Sequence, residues 1–150
     1  MLWTRVLHGP NRWSRLPVVH LRVDLGALEH LPTNLIAGFG DRLMATLPGL
    51  ARHACSTSRP GGFADRIVEG TWMGHVVEHV ALELQRAAGG ESTRGKTRSA
   101  GPEGIYDIIF AFEDEAVGRA AGALGCHRQN AGSAVGVDDR EEERRAVGRP

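Results

Sequence analysis

The stretch Gly70–Gly90, GTWMGHVVEHVALELQRAAGG, constrains the fold most, because it is the longest uninterrupted helical pattern in the chain. Thr71 is a candidate N-cap, and Gly89-Gly90 close the run where a helix C-terminus favours glycine. Met73, Val76, Val77, Val80, Leu84 and Ala87 recur at steps of three and four, forming one apolar stripe at about 100° per residue. The pattern predicts a central helix with that stripe on the core.

The opposite face carries the chemistry. With Met73 as origin and about 100° per residue, Glu78 falls near 140°, His75 near 200° and His79 near 240°. His75-Val76-Val77-Glu78-His79 is an H-x-x-E-H pattern, in which two imidazoles one turn apart reach a single zinc ion. The glutamate is then placed to deprotonate a metal-bound water, as in the inverted zinc-peptidase motif. The same letters also describe an ordinary polar helix face in water. A third metal ligand has to come from another element, and Glu103, Asp107 and Glu113 are the candidates.

A chain of 150 residues with 41% hydrophobic content and zero formal net charge reads as one soluble domain. Zero net charge gives no electrostatic argument for a nucleic-acid or membrane partner. Cys55 and Cys126 are too few and too far apart for a disulfide framework or a cysteine zinc site. The amino-terminal residues are broken by Arg5, His8, Pro10 and Arg12, and no run approaches a membrane span. The expected setting is reduced and cytoplasmic.

Leu2–Leu7 and Val18–Leu25 read as strands, the second with Val19, Leu21, Val23 and Leu25 alternating with His20, Arg22 and Asp24. The polar set reads as a solvated sheet face. Phe39–Leu47 reads as a short amphipathic helix, Leu50–Ser56 as a brief strand with His53 and Cys55 on one face, and Ala64–Val68 as a single helical turn. Ser92–Ser99 and Ile105–Phe112 read as an antiparallel hairpin. Gly90–Thr97 matches the phosphate-loop pattern as text, but it leaves a helix and enters a strand, the reverse of the required context. Glu113–Gly125 reads as a last helix with acidic residues at its amino end. From about residue 126 the chain loses large apolar residues, and the expectation is a disordered tail. The fold class expected is α+β: a small, mostly antiparallel sheet, one long central helix and two or three shorter ones.

Four stretches, in this order and spacing, resemble the amino-terminal domain of the cyanophycin synthetase family. They are Gly9–Ser14 (GPNRWS), Arg59–Phe63 (RPGGF), Gly70–Gln85 and Gly95–Ser99 (GKTRS), and coverage runs from about Met1 to Gly125. The family makes a storage polymer with an aspartate backbone and arginine on each side-chain carboxylate. Its members are large cytoplasmic homo-oligomers whose ATP-grasp and Mur-ligase-like domains use ATP and magnesium.

The resemblance implies that the amino-terminal domain holds the polymer. In some members it also implies a metal-dependent hydrolytic site that cuts polymer into primers, and His75, Glu78 and His79 match that site's helix. The chain has no ligase segments, so the expectation is a truncated form that does not polymerise alone. Of the polymer's groups, guanidiniums suit Asp24, Glu78, Glu103 or Asp107, and the terminal carboxylate suits Arg94, Lys96 and Arg98. The functional expectation is thus a polymer-binding domain with zinc-dependent hydrolysis, His75 and His79 as ligands and Glu78 as base. The alternatives are a polymer-binding module without catalysis and an inactive fragment of the ligase.

Overall fold

The computed structural model describes residues 1–55 and 58–127. Four strands, β1 (Trp3–Leu7), β2 (Val18–Asp24), β3 (Gly95–Ser99) and β4 (Ile105–Ala111), form one antiparallel sheet in the order β1-β2-β4-β3. The helices are α1 (Phe39–Thr46), α2 (Gly62–Glu69), α3 (Met73–Ala87) and α4 (115–127). Of three short 3₁₀ segments, Gly26–His30 and Thr33–Leu35 connect β2 to α1, and Pro48–Arg52 lies between α1 and α2. The expected α+β class is what the chain adopts.

Strand alternation sorts the sheet into two unlike faces. Val19, Leu21 and Val23 of β2 and Ile108 and Phe110 of β4 point inward, onto Val77 and Ala81 of α3 and Ala121 of α4. Helix α4 lies close to the strands because Gly118 and Gly122 carry no side chain. A Cβ there would sit 2.9 Å from Phe112 Cβ and 3.1 Å from Phe110 Cζ, respectively. The outward face holds a smaller cluster of Val18, Ile109 and Ala111 with Leu7 and Trp13.

Helix α3 serves a second core. Met73, Val76 and Val80 pack with Leu50, Phe63 and Ile67, and α1 adds Phe39, Leu43 and Met44 at the margin. The apolar stripe is therefore divided between two partners, and the helix is enclosed on nearly every side. Glu78 and His79, on the side that carries the H-x-x-E-H residues, are 7% and 5% exposed, so this is not a polar face in open water.

Several local expectations change. Thr71 does not cap α3: Trp72 occupies that position without a side-chain bond, and the Thr71 hydroxyl lies on the His75 ring instead. Residues 48–52, taken partly as strand, form a 3₁₀ helix started by Pro48, and the chain then continues without regular structure through Cys55. The single turn after the glycine loop is a full eight-residue helix, α2. The last helix is described through residue 127, so Cys126 and His127, the first two residues of the expected tail, are helical, and the rest of that expectation lies outside the described residues.

Candidate functional site

The enclosed side of α3 faces two elements, the irregular segment His53–Cys55 and the edge strand β3. His75 places Nδ1 2.8 Å from Thr71 Oγ1 and Nε2 3.2 Å from Cys55 Sγ. His79, one turn on, has Nδ1 3.1 Å from His53 Nδ1, and its ring stacks on Phe63 with centroids 4.0 Å apart. Donor atoms of Cys55, His75 and His79 all lie within 4.8 Å of one another. These three residues could hold a metal ion.

Glu78 occupies the neighbouring position. Thr97 Oγ1 of β3 donates to its Oε2 at 2.7 Å, and a Cβ on Gly95 would stand 2.5 Å from its Oε1. Glycine at 95 is what lets the edge strand lie against the carboxylate. A cavity of about 640 Å³ is lined by Cys55, His75, Glu78, His79 and Thr97, with Trp72 and Arg66 also on its wall.

Burial sets the protonation states here. It pushes His75 below its ordinary value, with the Arg66 charge adding to the effect. His79 falls to about 3, through burial first and then the neighbouring imidazoles of His75 and His53. Both are neutral near pH 7, the form that binds metal. Glu78 moves up because burial outweighs the Thr97 hydrogen bond. A cluster of neutral imidazoles, a thiol and a weakened acid on a cavity wall is suited to metal binding and proton transfer.

The carboxylates considered as third ligand are elsewhere. Asp107 lies on the outward face, bonded to Arg22 at 2.9 and 3.0 Å and 2.8 Å from His20 Nε2, the last an off-axis contact. Glu103 pairs with His30 on the surface, and Glu113 accepts from the Glu91 amide. Asp24 caps the Gly26 amide, so of the four acids proposed for guanidinium groups Glu78 alone faces this cavity. His53 and Cys55 stood out in the sequence only as a pair on one face of an expected strand, and nothing in so short a segment signals that it folds back onto residues twenty or more positions away.

The basic trio is divided too. Lys96 and Arg98 alternate with Thr97 along β3, so they share the outward face with Ile109 and Asp107, and Arg98 at the strand edge also borders the cavity that holds Glu78. The Arg98 guanidinium lies 5.3 Å from the centre of the Trp13 ring, which Arg12 also covers at 4.5 Å. A turn organised by Asn11 Oδ1, which accepts from the amides of Trp13 and Ser14, holds that tryptophan in place. Arg94 is exposed ahead of the strand, and its carbonyl accepts from Ala111.

This sheet, helix and cluster lie within a region that has recognisable relatives. The family described as cyanophycin synthase-like N-terminal domain matches residues 20–131. The chain belongs to that family. Cyanophycin synthetase from Geminocystis herdmanii is 42% identical over 144 residues, covering 93% of this chain and 16% of the relative. Those of Synechocystis sp. and Crocosphaera subtropica are 46% and 47% identical over 124 residues, covering 81% of this chain and 14% of each relative. The chain thus spans about one-sixth or less of the curated relatives it matches. The matched region of this cyanophycin synthase-like domain begins in β2 and takes in α1, α2, α3, β3 and β4. Among the described residues, no helix is long and apolar enough to cross a membrane.

Proposed function

We propose that this domain acts in the metabolism of an arginine–aspartate storage polymer, and that the cavity beside α3 is a zinc-dependent hydrolytic site for that polymer. The approach of Cys55, His75 and His79 to within 4.8 Å of one another carries the reading. Two imidazoles and a thiol are a three-ligand set of the kind that leaves zinc a fourth position for water. A zinc ion held there supplies Lewis acidity and a water of lowered pKa.

The chain's own residues do the rest. Thr97 steadies Glu78 through Oε2, leaving Oε1 without a hydrogen-bond partner among the described residues and ready to take a proton. Its raised pKa brings it nearer the range that suits a general base at neutral pH. Phe63 and Leu82 shield one side of the cluster from water. A cytoplasmic setting accompanies this reading.

A polymer-binding role without catalysis is favoured by one separate observation. Arg12 and Arg98 flank a cavity of about 460 Å³ on the outward face, where Asp107 is already neutralised by Arg22. Cationic groups there can grip a carboxylate of the polymer without any metal. Lys96 stands on the same face.

The test is zinc content per chain, measured beside hydrolysis of an arginine–aspartate polymer, in the wild type, His79→Ala and Glu78→Gln. Near-stoichiometric zinc in the wild type and Glu78→Gln, zinc loss in His79→Ala, and cleavage in the wild type alone are expected. A wild type that takes up no zinc and cleaves nothing sinks the hydrolase reading. Polymer retention without cleavage leaves the second one.

A further inference from the structure

Behind His79 runs a line of hydrogen bonds that the proposed chemistry does not itself require. His53 Nδ1 meets His79 Nδ1 at 3.1 Å, and His53 Nε2 meets Glu83 Oε2 at 3.0 Å. Glu83 is in turn held by Arg86, with Nε 2.7 Å from Oε2 and Nη2 2.6 Å from Oε1. The Glu83 carboxylate is 3% exposed, and the Arg86 bonds, with help from His53, hold it below its ordinary pKa despite burial. The 3₁₀ segment fits closely around the pair: a Cβ on Gly49 would collide with both Glu83 Oε1 and Arg86 Nη2.

The direction of each bond follows from the chemistry of its end. An ionised carboxylate only accepts, so His53 donates from Nε2. With its single ring proton on Nε2, His53 has its lone pair on Nδ1, and a lone pair facing His79 Nδ1 requires the proton to be on His79. His79 is therefore the Nδ1–H tautomer, with Nε2 left as the lone-pair nitrogen. His75 is arranged in parallel, Nδ1 engaged by Thr71 and Nε2 turned to Cys55.

We propose that His53, anchored by Glu83 and Arg86, is the positioning residue that fixes His79 as the Nδ1–H tautomer and so presents its Nε2 to the metal. The proposal rests on the metal reading above for its purpose, but the tautomer itself is a property of the metal-free chain. Outer-shell partners of metal-binding histidines orient the ring and fix the proton in the same way, and their loss typically costs about 10- to 100-fold in affinity.

The experiment has two arms on the full chain. In metal-free protein with isotope-labelled histidine, ring nitrogen shifts report the His79 tautomer. Nδ1–H is expected in the wild type, and movement towards Nε2–H in His53→Phe, which removes the acceptor. In the second arm, Zn²⁺ alone is titrated against a competing chelator. His53→Phe is expected to bind about 10- to 100-fold more weakly, and His53→Gln, whose amide oxygen can accept from Nδ1–H, to recover part of the loss.

A wild-type His79 found as Nε2–H overturns the proposal, even if His53→Phe fails to fold. So does unchanged zinc affinity in a folded His53→Phe whose tautomer has moved. A wild type that shows Nδ1–H but takes up no zinc removes the metal reading and leaves the His53–His79 relay as found.

Discussion

Two buried histidine–carboxylate neighbourhoods lie on opposite sides of the same sheet, and they solve the cost of burial differently. On the outward face, Asp107 receives two bonds from Arg22 and a close approach from His20, while Trp3 and Trp13 pack edge-on against the His20 ring. Burial would raise the Asp107 pKa, but these cationic and hydrogen-bonding partners outweigh it and hold the acid low. On the inward face, Glu78 has one threonine hydroxyl and no cation, so burial wins and its pKa rises. Both acids are nearly inaccessible. What separates the two acids is the number and sign of their partners, not their depth.

The sharpest way to break this contrast is to remove each carboxylate in turn. Glu78→Gln keeps the Thr97 contact and the shape, so polymer hydrolysis should fall by about 100- to 10,000-fold. Denaturation should show the fold changed by no more than about 1 kcal/mol. Asp107→Asn should do the reverse. It removes the partner that Arg22 and His20 share, and chemical denaturation should show a stability loss clearly larger than that of Glu78→Gln. Zinc uptake should stay as in the wild type. Equal stability losses in the two variants would erase the distinction.

Acid titration sharpens it further. His20 sits below its ordinary value, burial prevailing over its contact with Asp107. A histidine of depressed pKa is neutral in the fold but takes up a proton at about pH 6.5 once unfolded. The unfolded chain then binds more protons, so stability is full above about pH 6.5 and declines as pH falls below it. Asp107 adds a second loss starting below about pH 3.9, the ordinary aspartate value. Denaturation midpoints measured from pH 7 to 5 should therefore fall less in His20→Gln than in the wild type. A parallel decline in the two proteins would assign the slope elsewhere.

The smallest expected effect concerns Lys96 and Arg98. Reversing both charges should weaken retention of an arginine–aspartate polymer severalfold and leave zinc uptake unchanged, because neither residue belongs to the group of Cys55, His75 and His79. Unchanged retention would take them out of the binding surface.

Much of the framework was legible before the structure. Periodicity located α3, alternation located β2, strand-forming residues located β4, and the H-x-x-E-H spacing put His75, Glu78 and His79 on one side of a helix. Periodicity of a single helix, however, records which residues agree with one another and not what approaches them. The polar side of α3 is covered because β3 has a glycine at 95 and because the 53–55 segment folds back over it, two facts that live in other parts of the chain. Alternation in β3 was equally readable, yet which of its faces met α3 depended on sheet order. Cys55 and His53 acquire meaning only from tertiary closure.

Helix α3 belongs to both cores, lending Val77 and Ala81 to one and Met73, Val76 and Val80 to the other. A segment shared in this way has no small opening motion of its own, since loosening it exposes two interiors at once. Its backbone amides from about Val76 to Glu83 should exchange with solvent deuterium only as fast as the whole domain unfolds, and those of α1 considerably sooner. The histidines thus ride on the most slowly breathing part of the molecule, and damage to either core, however remote from the cavity, reaches them as a change in how long the domain stays closed.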